Sequence, residues 1–262
     1  IMIFLLHKEY SHEMFNGFLV TCGATYLSCF TGALLFFIIG KAMKMQPKEL
    51  GLFSGGGVYS NVIFMGQPLI MAMYGAEGLI FCVAVMFTCN VFLFTVCSVL
   101  FAMGSDLKKS AGQMLKDAFI NLICLSAIIG VFCFVTSISL PQPIFDVLQY
   151  SANTTVCLSM IYIGSLLAAA NVREIFQDKK VYIFSFHTLI VIPIITKLIC
   201  GTFMSGMALS VLVVLMGTPA AAALPSFADL YGNDEKRASE YAFVSTILSV
   251  ITLPLVAQFL CQ

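Results

Sequence analysis

Twice the chain spells a proline, five residues, then tyrosine and glycine: Pro68-LIMAM-Tyr74-Gly75 and Pro225-SFADL-Tyr231-Gly232, 157 residues apart. Both lie in apolar stretches rich in helix breakers, Gly66-Gln67-Pro68 in SNVIFMGQPLIM and Gly217, Pro219 and Pro225 in MGTPAAAALPSF. Proline has no N–H and its ring collides with the preceding turn, so breakers inside a membrane segment release backbone amides and carbonyls. In hydrocarbon each unpaired group costs several kcal/mol, and such backbone survives only when buried in protein or lining a wet cavity. A kinked but continuous helix is the plainer reading of either stretch alone; breakers at equivalent places in both favour two discontinuous helices crossing at the midplane. Pro68 and Pro225 then each take the first position of a half-helix, a place proline suits. The start of a helix carries roughly half a positive charge and unpaired N–H groups, so two facing starts form an anion site without lysine or arginine. Asn61, seven residues before Pro68, adds an amide that can donate to a carboxylate. Thr218 stands at the same distance before Pro225.

The elements that must position these residues follow from composition. With 60% apolar and 10% charged residues, against roughly 45–50% and 25% for soluble domains, the chain is an integral membrane protein. Thirteen basic and thirteen acidic side chains cancel, leaving no basic surface for a nucleic acid. Apolar runs at 14–40, 51–74, 78–103, 115–138, 144–170, 182–203, 208–231 and 239–261 are each long enough to cross the bilayer. They are unbroken rather than alternating, which excludes a transmembrane β-barrel. The stub at 1–6 is too short to cross, and the sequence reads as truncated at its N-terminus by about 40 residues, one span and most of another. Lys41, Lys44, Lys48, Lys108, Lys109, Lys116, Arg173, Lys179, Lys180, Lys236 and Arg237 fall on one side of these spans and Lys8 on the other. The positive side is cytoplasmic, which places the C-terminus outside.

The offset of 157 also pairs the span 78–103 with 239–261 and, less closely, 14–40 with 182–203. Each pair is separated by an odd number of spans, so the copies run in opposite directions, an inverted-topology repeat. The whole chain, 1–262, is then one membrane domain, with 1–103 the remainder of a first repeat and 112–262 the second.

Other polar residues have plainer roles. The ten cysteines are scattered singly, without CxxC spacing, and read as small buried hydrophobes; no cofactor or metal is implied. Gly55-Gly56-Gly57 lacks the strand and GK[ST] of a phosphate loop and reads as close helix packing or local flexibility. Lys197 lies near the end of its span, where its stem can snorkel to the interface. His187 reads as a hydrogen-bonded packing residue, and Asp229 and Glu77 as solvated or interhelical groups. Thr88, Ser98, Ser245, Thr246 and Ser249 read as interhelical glue. Asn90, apolar-flanked in its span, is a secondary site residue.

At SNVIFMGQPLIMAMYG (60–75), and in support at IYIGSLLA (162–169) and LPSFADLYGNDEKRASEYAFVSTILSVITLPL (224–255), the chain resembles the auxin efflux carrier family of membrane transporters. The resemblance implies a fold similar to bile-acid symporters and sodium/proton antiporters: ten spans in two inverted repeats, with proline-broken helices crossing at the substrate site. It implies a moving unit sliding against a scaffold made from the first two spans of each repeat. Asn61 then matches the family's asparagine before the first crossover, where a substrate carboxylate is expected, and Pro68 that crossover's proline; Gly66 and Gln67 accompany it. Pro219 and Pro225 bracket the second crossover. No second asparagine matches, which leaves Thr218 in that place, and Asn121-Leu122 stands where the family has Asn-Pro.

These readings converge on a secondary carrier of small organic anions such as carboxylates, embedded in the plasma membrane. Proton or sodium coupling and a homodimer stay open. An ion channel or a membrane sensory module built on the same broken helices is the alternative. An intramembrane enzyme lacks HExxH, paired intramembrane aspartates and a second histidine within a span.

Overall fold

A computed structural model describes residues 12–104, 122–136, 141–169 and 178–260. The stub at 1–6, Lys8, Lys108, Lys109, Lys116, Arg173 and Asn121 lie outside the described residues. Among the described residues the regular structure is helical, with one isolated antiparallel bridge between Ser60 and Ala220.

Helices α1 (His12–Ala42), α4 (Glu77–Phe101), α7 (Lys179–Cys200) and α10 (Glu235–Leu260) are each long and apolar enough to cross a membrane. Helices α5 (Leu122–Thr136) and α6 (Gln142–Ala169) correspond to two further runs. The remaining two runs are interrupted. Helices α2 (Pro47–Gly56) and α3 (Val62–Gly75) flank a break at 57–61, and α8 (Gly206–Met216) and α9 (Leu224–Leu230) flank one at 217–223. Apolar side chains such as Leu19, Phe30 and Ile38 on α1 and Val250, Ile251 and Phe259 on α10 are exposed, as lipid-facing surfaces require.

Local chemistry fixes the ends. Helix α2 opens on Pro47 after an extended Gln46. Helix α7 is capped by Asp178, whose carboxylate accepts from the Lys180 N–H at 2.8 Å, and α10 by Asp234, which accepts from the Arg237 N–H at 2.9 Å. Both tyrosine-glycine pairs are helix stops: Gly75 has φ 61° and Gly232 φ 65°, the left-handed region that a side chain disfavours.

The first interruption does not fall where the prolines suggest. The expectation was a break at Gly66–Pro68 with Pro68 leading the half-helix, but α3 starts at Val62 and runs through Gly66, Gln67 and Pro68. Its opening turn, Val62–Gly66, is π-helical, with the Gln67 N–H bonded to the Val62 carbonyl five residues back. That wider turn makes room for the Pro68 ring and dispenses with a bond proline cannot donate. The same device recurs in α7, where the π turn His187–Val191 ends two residues before Pro193. Pro225, by contrast, lies in the first turn of α9.

An aromatic cluster ties four helices together. Phe36 of α1 meets Phe53 of α2 edge-on at 5.0 Å, Phe53 meets Phe184 of α7 at 5.8 Å, and Phe184 stacks flat on Tyr241 of α10 at 4.1 Å. Glycines allow α2 into this core. A Cβ on Gly57 would lie 2.4 Å from the Phe36 ring, and one on Gly55 2.6 Å from Phe101, so the triple glycine is a close-packing feature.

At one end of the bundle the starts of α2, α7 and α10 share their charges. Lys180 reaches Glu49 at 2.6 Å, and Arg237 pairs with Asp178 and, at 3.0 Å, with Glu240. Burial pushes the Asp178 carboxyl up, but the Lys180 amide and the Arg237 guanidinium outweigh it and hold it below the ordinary carboxylate value. Asn233 donates to the carbonyls of Lys48 and Phe101 at 3.0 and 2.9 Å. Seen from this end, the crossing is off-centre. Helices α2 and α9, with 10 and 7 residues, lie on the charged side, while their continuations α3 and α8 are each about four residues longer.

Candidate functional site

The two breaks clasp each other as a minimal antiparallel pair. The Asn61 N–H donates to the Pro219 carbonyl at 2.7 Å, and the Ala221 N–H donates to the Tyr59 carbonyl at 2.7 Å. Four backbone groups that interruption would leave unpaired are thereby satisfied, as buried backbone demands.

Side chains from neighbouring helices hold the rest of the clasp. Thr188 donates its hydroxyl to the Gly57 carbonyl at 3.3 Å, and the Cys97 thiol lies 3.6 Å from the Gly55 carbonyl. Both donors belong to π turns, Thr188 to His187–Val191 and Cys97 to Leu93–Cys97. Ser245 of α10 accepts from the Ala220 N–H at 3.2 Å while donating to its own Tyr241 carbonyl at 2.7 Å. The interhelical role read for Ser245 therefore has a partner: the second break itself.

Asn61 caps α3. Its Oδ1 accepts from the Phe64 N–H at 3.3 Å, and the side chain is buried at 3% exposure. Its Nδ2 has no hydrogen-bond partner, and neither does the buried Ser60 hydroxyl beside it. Both residues border a cavity of about 50 Å³, together with the first turn of α3 and Tyr59. Its other walls are Met86, Cys89 and Asn90 from α4 and Ala221–Ala223 from the second break. None of these lining residues is charged. The chemistry on offer is two neutral donors beside the positive start of a helix, an arrangement that attracts an anion.

Of the residues singled out from the sequence, Asn61 and Asn90 meet in this cavity, Asn90 bonding through Nδ2 to the Met86 carbonyl at 2.7 Å. Pro219 joins through its carbonyl, next to the cavity rather than lining it. Gly66, Gln67, Pro68, Thr218 and Pro225 do not line it. Gly66 instead lets α3 approach α8, since a Cβ there would lie 2.4 Å from Leu215. Thr218 is fully buried and donates to the Leu215 carbonyl at 2.7 Å, closing the last turn of α8. His187 sits 2.7 Å from the Ile183 carbonyl with its ring against Phe36, a packing residue. Asp229 and Glu77 are exposed.

Sequence reasoning missed Tyr59, Ser60, Met86, Cys89 and Ala221–Ala223. The usable signal was the doublet Ser60-Asn61, two small polar residues at the end of a glycine run, which is where a helix cap belongs.

Comparison with known proteins adds two findings. The family described as membrane transport protein matches residues 1–257. A curated uncharacterized transporter of Methanocaldococcus jannaschii is 27% identical over 260 residues, which covers 97% of this chain and 83% of that protein.

Proposed function

Because the chain belongs to the membrane transport protein family, the grouping of the auxin efflux carriers, we propose that it is a secondary carrier of small organic anions working by alternating access around the clasped breaks. The carrying observation is the pair of unpaired buried donors, Asn61 Nδ2 and Ser60 Oγ, at the start of α3 beside a cavity. In this reading they hold the substrate carboxylate, and Asn90 completes the wall behind it.

An inverted repeat accounts for the arrangement economically. Two interrupted helices meet antiparallel at Ser60 and Ala220, and each ends at a left-handed glycine of the same motif. The unit built on them would move against its neighbours, exposing the cavity to either side in turn. The basic residues Lys48, Lys180 and Arg237, gathered at one end, support a plasma-membrane orientation with that end cytoplasmic and the C-terminus outside. Proton or sodium coupling and dimer formation belong to the same reading as properties to measure.

The test is counterflow by the full-length protein in vesicles, with propionate, malate, malonate and indole-acetate under imposed pH and sodium gradients. Saturable uptake of at least one of these carboxylates, accelerated by substrate on the far side, is expected, and Asn61→Ala should depress it in a folded protein. Flux linear in concentration would point to a channel.

A further inference from the structure

We infer that the site selects monocarboxylates with a short apolar body and rejects dicarboxylates and phosphate; this rests on the carrier reading above. The cavity is chemically lopsided. Its donors, Asn61 Nδ2 and Ser60 Oγ, lie together at the start of α3. The other lining residues are mostly apolar, among them Phe64, Met86, Cys89 and Ala221–Ala223, with Tyr59 adding a phenol and Asn90 already donating to the Met86 carbonyl.

One negative charge is served by two neutral donors and the end of a helix dipole, which together supply a fraction of a full countercharge. A second charge on the same molecule would meet no cationic side chain in this lining. Buried and uncompensated, it carries the desolvation penalty of a broken ion pair, which places dianions below monoanions by at least about a hundredfold in kcat/KM. Neutral donors also fit this use: a lysine or arginine would bind any anion strongly, whereas an amide and a hydroxyl leave discrimination to the rest of the molecule. Size points the same way. About 50 Å³ accommodates a few water-sized groups, enough for a carboxylate and two or three carbons.

Cys89 provides a readout independent of transport, because it lines the cavity. The full-length protein in vesicles is treated at pH 7 with N-ethylmaleimide, and alkylation of Cys89 is followed by peptide mass spectrometry. Propionate, butyrate, malonate, succinate and inorganic phosphate are added in turn, and counterflow of each is measured in parallel. Propionate and butyrate are expected to slow Cys89 alkylation and to exchange across the membrane, with malonate, succinate and phosphate doing neither at equal concentration. Protection and exchange by malonate or succinate as good as by propionate would overturn the monocarboxylate assignment and leave the carrier reading standing. Neither protection nor exchange by any carboxylate would overturn both. Asn61→Asp keeps the helix cap and adds a negative charge, so its loss of propionate protection is expected, and retention would remove Asn61 from the site.

Discussion

Asn61 and Pro219, 158 positions apart in sequence, are joined by a 2.7 Å hydrogen bond from the amide of one to the carbonyl of the other. The same asparagine caps α3 with its side-chain oxygen and leaves its buried nitrogen without a partner, in a residue that lines the cavity. One residue thus closes the crossing, starts a helix and presents a donor. Its substitution separates these roles. Asn61→Ala removes cap and donor together and should lower stability by about 1 kcal/mol while depressing transport at least tenfold. Asn61→Asp should melt within a few degrees of the parent in detergent yet fail to transport. An aspartate variant with normal transport would contradict the assignment.

Ser245→Ala strips the acceptor from the Ala220 N–H inside the second break. A buried amide left without a partner costs about 1–3 kcal/mol, and the thermal midpoint should fall accordingly. Ser245→Thr, which retains the hydroxyl, should recover most of the loss.

Thr188 reaches across from α7 to the Gly57 carbonyl. Thr188→Val keeps the shape and deletes the donor, so the expected effect is a fall in the transport rate larger than the fall in stability. Thr188→Ser should restore the rate. Equal behaviour of valine and serine variants in vesicle exchange would show that this bond does not position the break.

Gly51 permits no side chain: a Cβ there would sit 1.9 Å from the Leu100 carbonyl oxygen, a backbone atom. Gly51→Ala must push α2 away from α4 and should destabilise by about 1–3 kcal/mol or more. Gly23, with nothing near its Cβ position, serves as the control, and Gly23→Ala should leave the melting temperature unchanged or raised.

Asp178 carries a pH signature. Its carboxyl is held below the ordinary value, so its contribution to stability is present above the unfolded-state pKa and is lost as pH falls through the lower, folded-state one. Asp178→Asn should therefore melt lower than the parent at pH 7, with the gap closing as the pH drops below the usual carboxylate range. A gap independent of pH would mean that the charge is not what matters.

Composition made the membrane-embedded, helical class legible and, among the described residues, most of the run boundaries. Long apolar helices are properties of the chain that need no tertiary information. The recurrence of Pro-x5-Tyr-Gly was legible, but that both of its glycines end helices in the left-handed region emerges only from the structure. The position of the first break was not legible. Proline most often begins or ends helices, so the sequence points to a helix start at Pro68, but a π turn absorbs it, at a point where Gly66 lies against Leu215. Spacing and family resemblance both point to Thr218, and neither reveals that its hydroxyl donates to the Leu215 carbonyl. Ser60 and the alanines escaped notice because they become site residues only through their pairing across the two breaks.

The unequal arms of the two interrupted helices have an electrical meaning. With α2 and α9 some 6 Å shorter than α3 and α8, at 1.5 Å per residue, an anion bound at the clasp in the proposed cycle would have travelled about two-fifths of the way from the charged end. In that cycle a transmembrane voltage would bias occupancy from the two compartments unequally, making loading from the nearer one the less voltage-sensitive half.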